Sequence, residues 1–230
     1  MIGIIGAMKI EVEKIIEKMT DKTSVMISGA QFVIGKFFGK DVVVAVSGVG
    51  KVNAAAITEA MILKYSPDFV INTGVAGTLS SKLNIGDVAI SKDVVEHDMD
   101  TSPLGDPKGF ISGLNVVKME ADKRIIEMFS NVLTELNINF EIGTIASGDQ
   151  FINSSEVKEK IISEFNGICC EMEGASIGHV CTINNVPFCV LRAISDGADD
   201  SSHMSYEQFC DIAASNSIKV LELFFDRLTL

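Results

Sequence analysis

The chain has 230 residues and a mass of 24.7 kDa; 47% of its residues are hydrophobic, only 7% are aromatic and none is tryptophan. This length allows one large α/β domain or two small ones. We expect a single domain that spans residues 1–230, with an aliphatic core. The formal net charge of −12 argues against binding DNA or RNA through phosphates, because that mode needs a basic face. No apolar run approaches the roughly 20 residues of a membrane helix and no leader pattern is seen, so we expect a soluble, cytoplasmic protein.

The cysteines and histidines argue against a metal centre. The five cysteines contain no C-x-x-C pair, and the three histidines are too far apart for a helical ligand motif. The segment His97-Asp98-Met99-Asp100 superficially resembles a metal-binding tract, but loop histidines and aspartates are more often solvated. We therefore expect no metal and no cofactor. The cysteines should be buried, reduced thiols at Cys169, Cys170, Cys181, Cys189 and Cys210.

Apolar runs alternate with helical patterns in the first part of the chain. Residues 1–5 predict a strand that leads through a glycine turn into a helix. Several β-rich runs separated by glycine turns lie within residues 24–47 and favour a meander. An alanine-rich helix near 51–64 and a strand at 69–71 follow, and this strand ends in a glycine loop at 72–77.

The same alternation continues to the end of the chain. Helical spacing marks residues 125–136, and Ser205 with Gln208 resembles a capping box that opens a final helix ending near 226. The stretch 98–113 has no period, which favours a lid or a partner contact. Further strands are predicted at 142–146, 168–170 and 187–194. The alternation predicts a three-layer α/β/α sandwich with a mixed, largely parallel sheet that binds ligands at the carboxyl ends of its strands.

Acidic residues follow three of the predicted strands. Glu11 lies just after the first strand, Glu171 and Glu173 follow the strand at 168–170, and Asp196 ends the strand before the last helix. Carboxyl groups that converge in one buried cleft acquire different pKa values, which is what acid–base cleavage of a glycosidic bond requires. Taken alone, each residue is better explained as a first-turn or turn-forming acid. Together, at independent strand ends, they favour a catalytic cleft.

Two glycine-containing motifs have simpler alternatives. Gly48-Val49-Gly50-Lys51 resembles a phosphate-binding loop, but Ala45 and Val52 stand where that motif needs glycine and serine or threonine, so a tight turn into a helix is favoured. Gly148-Asp149-Gln150-Phe151 predicts a turn. Its phenylalanine either packs into the core or stacks on a planar base.

Six motifs follow one another along the chain: Gly3–Met8 with Glu11, Ser47–Val52, Asn72–Gly77, Ser147–Ile152, Glu171–Gly174 and Arg192–Asp196. Through these motifs essentially the whole chain resembles the 5′-methylthioadenosine/S-adenosylhomocysteine nucleosidases, which belong to a nucleoside phosphorylase-like family. The loop at Val75 departs from the pattern, since many relatives carry serine there. The glycine loop and the 147–150 segment look like the subgroup that also acts on 6-amino-6-deoxyfutalosine.

The resemblance implies a role for each of the acidic residues. Asp196 would protonate N7 of adenine as the sugar develops oxocarbenium character, and Glu11 would hold and activate the attacking water. Glu173 would bind the ribose hydroxyls. Ser195 would orient Asp196, and Arg192 would orient a carboxylate.

The resemblance also implies a substrate pocket and a homodimer. The remaining substrate-binding residues would be Met172 beneath the sugar, Glu171, Phe151 and Tyr206 around base and ribose, Ile152 at the adenine edge, and Met8, Val49 and Gly77. The long loop of a partner subunit would close the 5′-substituent pocket through Thr101, Leu104 and Pro107.

Two other functions stay open on the sequence. A nucleoside phosphorylase would share the fold but use phosphate, which arginine binds well; this chain has only three arginines and places Glu11 in its first loop. A non-catalytic nucleoside-binding protein would not need an acid and a base together.

Overall fold

A computed structural model describes residues 1–200 and 202–228, with 203–205 and 207 as backbone only. In this part of the chain, helices cover a ten-stranded mixed sheet. The strands are β1 (Ile2–Gly6), β2 (Thr20–Ile27), β3 (Ala30–Phe37), β4 (Lys40–Val46), β5 (Phe69–Thr78), β6 (Val88–Glu96), β7 (Met119–Glu120), β8 (Phe140–Ser147), β9 (Gly167–Glu171) and β10 (Phe188–Asp196). The helices are α1 (Lys9–Lys18), α2 (Lys51–Tyr65), α3 (Lys123–Glu135), α4 (Ser155–Phe165), α5 (Gly174–Ile183) and α6 (Ser202–Arg227), with a 3₁₀ turn at Ser102–Leu104.

Side chains alternate between the two faces of the sheet and meet a different set of helices on each. Ile4 and Val44 pack in a core with residues of α1, α3 and α6, whereas Ile5 and Val43 pack in a second core with residues of α2 and α5. This alternation follows from the two-residue period of a strand, and it makes both faces of the central strands apolar. The predicted three-layer α/β/α arrangement is confirmed.

The helices that cover the sheet have the expected amphipathic spacing. In α3, Ile125, Phe129, Val132 and Leu133 are buried along one stripe. Asp122 caps this helix by accepting hydrogen bonds from the backbone N–H groups of Arg124 and Ile125. The apolar stripe seats α3 on the same face as α6, where Phe129 stacks on Phe224.

One part of the sheet is an open series of paired strands, and the other part closes on itself. Strands β2, β3 and β4 form the predicted antiparallel meander and join β1, which pairs in parallel with both β4 and β5. Beyond β5, the pairings run through β10, β6, β8 and β9 and return to β5. The closure brings β9 against the end of β5, which a simple open sandwich would not do.

Several elements differ from the sequence prediction. The prediction named no element for β6, α4 or α5. The final helix begins at Ser202, so the predicted start near Ser205 is wrong by about one turn, and the Ser205 side chain lies outside the described residues. No helix in 1–200 and 202–228 combines the length and apolar character needed to cross a membrane.

Candidate active site

A cavity of about 300 Å³ lies where β1, β5, β9 and β10 end. Gly77 of β5 pairs with Asp196 of β10 on one side and with Cys170 of β9 on the other. This register places the loops after β9 and β10 next to each other. The residues around the cavity are Ala7, Met8, Glu11, Val49, Val75, Ala76, Gly77, Phe151, Cys170, Glu171, Met172, Glu173, Ser195, Asp196 and Tyr206.

Glu11 is both a helix cap and a cavity residue. Its Oε2 accepts a hydrogen bond from the Met8 N–H at 2.9 Å, and its Oε1 accepts one from the Val75 N–H at 3.2 Å. The side chain is buried in the first turn of α1. Burial raises the pKa of Glu11 above its ordinary value, although the Arg192 charge and the backbone donors oppose the shift. A buried carboxylate with a raised pKa is a better proton acceptor than a surface one.

Asp196 lies beside Gly77, whereas Glu11 lies beside Gly74, so the two carboxyl groups mark different ends of the cavity along β5. Asp196 is held by neutral donors. The Ser195 hydroxyl lies 2.9 Å from its Oδ2, and the Ala198 N–H donates to its Oδ1 at 2.9 Å. A Cβ atom at position 77 would lie 2.6 Å from Oδ1 of Asp196, so a glycine is needed beside the carboxyl group. Asp196 is only 2% exposed, and it lines the cavity.

A buried ion pair lies behind the cavity. Arg192 is 1% exposed and donates through Nε and Nη2 to Oε2 of Glu171 and through Nη2 to Oδ1 of Asn72. Glu171 also accepts hydrogen bonds from the Ser147 hydroxyl and from the Glu173 and Gly174 N–H groups. Burial opposes ionisation of Glu171, but these partners outweigh it and lower its pKa. Glu171 therefore carries the charge that neutralises Arg192.

Glu173 faces the cavity with fewer partners. The Gly50 N–H donates to its Oε1 at 2.8 Å, and Nη2 of Arg192 lies 3.7 Å from its Oε2. Burial and the neighbouring Glu171 charge raise the pKa of Glu173 to about 7, against the opposing effect of Arg192. Near neutral pH this carboxyl group can both accept and donate hydrogen bonds.

Aromatic and apolar side chains form the remaining wall. Phe151 and Tyr206 meet edge to face with ring centroids 5.5 Å apart, and the Tyr206 hydroxyl lies 3.3 Å from the Met8 sulfur. Phe151 is 44% exposed, so the alternative that it packs into the core is wrong. Ile152 is buried beside it and borders a small extension of the cavity towards Cys170 and Asp196. The wall has the shape and chemistry to hold a planar base.

The structure brings most of the predicted site residues together and adds others. Arg192 and Ile152 lie behind or beside the main cavity rather than lining it. Thr101, Leu104 and Pro107 lie outside it; Leu104 is 84% exposed, and contact with a partner subunit stays a prediction. The prediction missed Ala7, Val75, Ala76 and Cys170 as lining residues. Three belong to the quoted motifs, whereas only the strand register reveals Cys170.

The described residues contain free thiols and no cluster of metal ligands. All five cysteines are free; Cys210 is half-buried and the other four are buried. Among the side chains that the structure describes, which exclude 201, 203–205, 207 and 229–230, histidine, cysteine and carboxylate groups nowhere form a cluster of three that could hold a metal ion.

Comparison with known proteins places this site in a family. The model of the phosphorylase superfamily matches residues 1–226. The 5′-methylthioadenosine/S-adenosylhomocysteine nucleosidase of Staphylococcus aureus strain JH9 is 41% identical over 229 residues, covering 99% of this chain and all of that protein.

Two solved structures agree closely with the fold. The enzyme of that name from Neisseria meningitidis, in complex with methylthio-immucillin-A, is 35% identical, with a TM-score of 0.95 and 99% of both chains covered. The futalosine hydrolase of Helicobacter pylori is 39% identical, with a TM-score of 0.95 and 99% and 97% of the two chains covered. The chain belongs to the phosphorylase superfamily and, within it, to the family of 5′-methylthioadenosine/S-adenosylhomocysteine nucleosidases.

Proposed function

We propose that the chain hydrolyses the N-glycosidic bond of 5′-substituted adenine nucleosides and releases adenine. The substrates would include 5′-methylthioadenosine and S-adenosylhomocysteine. By the resemblance of its motifs they would also include 5′-deoxyadenosine and 6-amino-6-deoxyfutalosine, and the similarity to a futalosine hydrolase supports the last of these. The observation that carries the proposal is that Glu11 and Asp196, both buried, line one cavity that also has an aromatic wall. Such a pair supplies an acid and a base on either side of a bound nucleoside.

Asp196 would act as the general acid at the base end. Protonation of N7 lets adenine depart neutral while positive charge develops on the sugar, which lowers the barrier to breaking the bond. Ser195 orients the carboxyl group through the contact to Oδ2, and Gly77 leaves room for it. Phe151 and Tyr206 would enclose the base, with the backbone of Ile152 at its edge.

Glu11 would hold and deprotonate the attacking water at the sugar end. The Nη1 atom of Arg192 is buried and has no hydrogen-bond partner among the described residues. A Cβ atom at position 74 would lie 2.4 Å from this Nη1 and 2.4 Å from Oε1 of Glu11, so the two groups flank Gly74. The carboxylate and the free donor together suit a water molecule.

The residues of the sugar end would bind the ribose. Glu173 would accept or donate hydrogen bonds to the ribose hydroxyls, and Met172 would lie beneath the ring. Met8 and Val49 complete the wall, and Glu171 acts by keeping Arg192 in place. A homodimer is part of this proposal, with Thr101, Leu104 and Pro107 of the partner chain closing the 5′-substituent pocket. A cytoplasmic location stays a prediction.

The charges of the site favour water over phosphate as the nucleophile. Of the three arginines, Arg124 pairs with Asp122 and Arg227 pairs with Glu135, both at the surface. Arg192 is held by Glu171 and has Glu11 and Glu173 as further neighbours, as the electrostatic effects on its pKa show. A phosphate dianion would meet these carboxylates, which repel it.

The test uses chromatography to measure the release of adenine from 5′-methylthioadenosine in phosphate-free buffer. We expect turnover without phosphate and no 5-methylthioribose 1-phosphate when phosphate is added. Turnover only with phosphate would instead support a phosphorylase, and binding without turnover in either buffer would support a nucleoside-binding protein. A comparison of kcat/KM for these four nucleosides would then establish which one the enzyme prefers.

A further inference from the structure

Two segments to which the sequence analysis gave no phosphate or metal site, Gly48–Lys51 and His97–Asp100, meet near Glu173. Lys51 is the first residue of α2, and its Nζ donates to Oδ1 of Asp98 at 2.6 Å and to Oε2 of Glu96 at 3.2 Å. The Lys51 side chain is only 18% exposed. Burial opposes its charge, but the two carboxylates outweigh burial and raise the pKa of Lys51. Lys51 is therefore a charged and well-fixed group.

The backbone around Lys51 is joined to the loop that carries Phe151. Its N–H donates to Oδ1 of Asp149 at 2.8 Å, and the Asp149 N–H donates to Oδ2 of Asp98 at 2.9 Å. Lys51, Asp98 and Asp149 thus form a closed ring of contacts between the start of α2, the end of β6 and the loop after β8. Phe151 follows Asp149 by two residues, so this ring anchors the aromatic wall.

The same hydrogen-bond network reaches Glu173, whose carboxyl group is expected to bind ribose. Gly50 precedes Lys51 and donates its N–H to Glu173. Its φ of 96° lies in the left-handed region, so the direction of this N–H depends on a fixed glycine backbone. Glu96 also contacts Nδ1 of His179, at 2.8 Å, on α5, the helix that begins directly after Glu173. Lys51 is therefore linked to Glu173 in two ways. One link runs through the Gly50 backbone, and the other runs through Glu96 and His179 to the helix that follows Glu173.

We propose that Lys51 is a positioning residue for the site, acting through Gly50 on Glu173 at the sugar end and through Asp149 on Phe151 in the aromatic wall. Lys51 is absent from the cavity lining, so it contacts no bound nucleoside there. Loss of its charge would leave Glu96 and Asp98 as neighbouring carboxylates without their shared cation, and they would move apart. The inference rests on the proposed function for its kinetic effect, but its structural part does not.

The kinetic test is a double-mutant cycle between Lys51→Met and Glu173→Gln. We expect Lys51→Met to lower kcat/KM for 5′-methylthioadenosine about 10- to 100-fold, because small misplacements of substrate-positioning groups have effects of this size. In the Glu173→Gln background the same change should cost clearly less than in the wild type, because residues of one hydrogen-bond network are not additive and only the path through Asp149 to Phe151 remains. Lys51→Arg should restore part of the activity. An equal loss in both backgrounds would overturn the inference.

The control is Lys118→Met. Lys118 is also partly enclosed, and its Nζ donates to Thr144 Oγ1 at 2.8 Å and to the Phe165 carbonyl at 2.9 Å, away from the cavity lining. It should reproduce any general effect of losing a half-buried lysine without the loss in kcat/KM. If it lowers kcat/KM as much as Lys51→Met, the role assigned to Lys51 is wrong.

Amide hydrogen exchange separates this inference from the proposed function, because it needs no turnover. We expect faster exchange in residues 47–51 and 148–151 of Lys51→Met, and unchanged exchange there in Lys118→Met. Unchanged exchange in both variants would overturn the inference even if adenine is released. A wild-type protein that releases no adenine would overturn only the proposed function.

Discussion

The two ends of the cavity hold their carboxyl groups by different means. At the base end, Asp196 is held by a hydroxyl group and a backbone N–H, which are neutral. At the sugar end, Glu11, Glu171 and Glu173 surround one buried cation, Arg192. A single arginine cannot neutralise three carboxylates, so the charge at this end is unevenly distributed.

The three carboxyl groups around Arg192 differ in the direction of their pKa shifts. Glu171 takes most hydrogen bonds of Arg192 and has a lowered pKa, whereas burial raises the pKa values of Glu11 and Glu173. The two residues with raised pKa values face the space where water and ribose would bind. The ion pair behind them therefore fixes the geometry, and under the proposed function proton exchange would fall to Glu11 and Glu173.

The largest effect is expected at the base end. Asp196→Asn should lower kcat about 10²- to 10⁴-fold, because asparagine cannot donate the proton that the leaving base needs. Binding of 5′-methylthioadenosine should be partly retained, since the proton matters chiefly in the transition state. Single-turnover kinetics and equilibrium binding measure the two effects separately. A kcat near that of the wild type would show that Asp196 is not the acid.

Removal of the shared cation should affect folding more than any change at the base end. Arg192→Met leaves Glu171 buried without its partner, and breaking such a pair costs about 3–5 kcal/mol. Urea unfolding monitored by circular dichroism gives the free energy of unfolding. Arg124→Met is the control, because Arg124 pairs with Asp122 at the surface, and it should leave the unfolding midpoint nearly unchanged. Equal midpoints for both variants would contradict the supporting role of Arg192.

The smallest expected effect is a pH-dependent gain in stability for Glu173→Gln. The pKa of Glu173 is raised from 4.5 to about 7, so between these values the folded state keeps a proton that the unfolded state has lost. The contribution of Glu173 to stability therefore falls as pH rises through this window, whereas glutamine does not titrate. The pKa of Glu171 is lowered, so this group stays ionised across the same pH window in both proteins.

The comparison needs thermal unfolding of wild type and Glu173→Gln at about pH 5 and about pH 8. The advantage in Tm of the variant over wild type should be larger at the higher pH, by about 2–4 °C for each kcal/mol in a chain of this size. A difference in Tm that is the same at both pH values would show that the pKa of Glu173 is not raised.

Local patterns predicted much of the fold because several elements carry a strong signal. The meander after α1 and the stripe of α3 were predicted from the spacing of apolar residues and are confirmed. Helix α5 was missed because it is buried on most sides and rich in small residues, so it lacks an amphipathic period. Strand β6 was missed because Ser91 and Asp93, which are polar, are buried in it.

Most of the candidate site was predicted because its residues follow strands or belong to motifs. The acidic residues Glu11, Glu173 and Asp196 were selected in this way, and all three line the cavity. Cys170 was missed because it is an ordinary apolar position of β9 in the sequence. Only its pairing with Gly77 shows that it borders the cavity.

The sequence by itself determined which strands end in an acid or a glycine, since these are local properties of the chain. Tertiary structure decided which of these ends meet: the closure of the sheet places Gly77 between Asp196 and Cys170. It also decided that Glu171 is the carboxylate that pairs with Arg192. The reason is physical, because strand pairing and the competition of carboxylates for one cation depend on groups far apart in the chain.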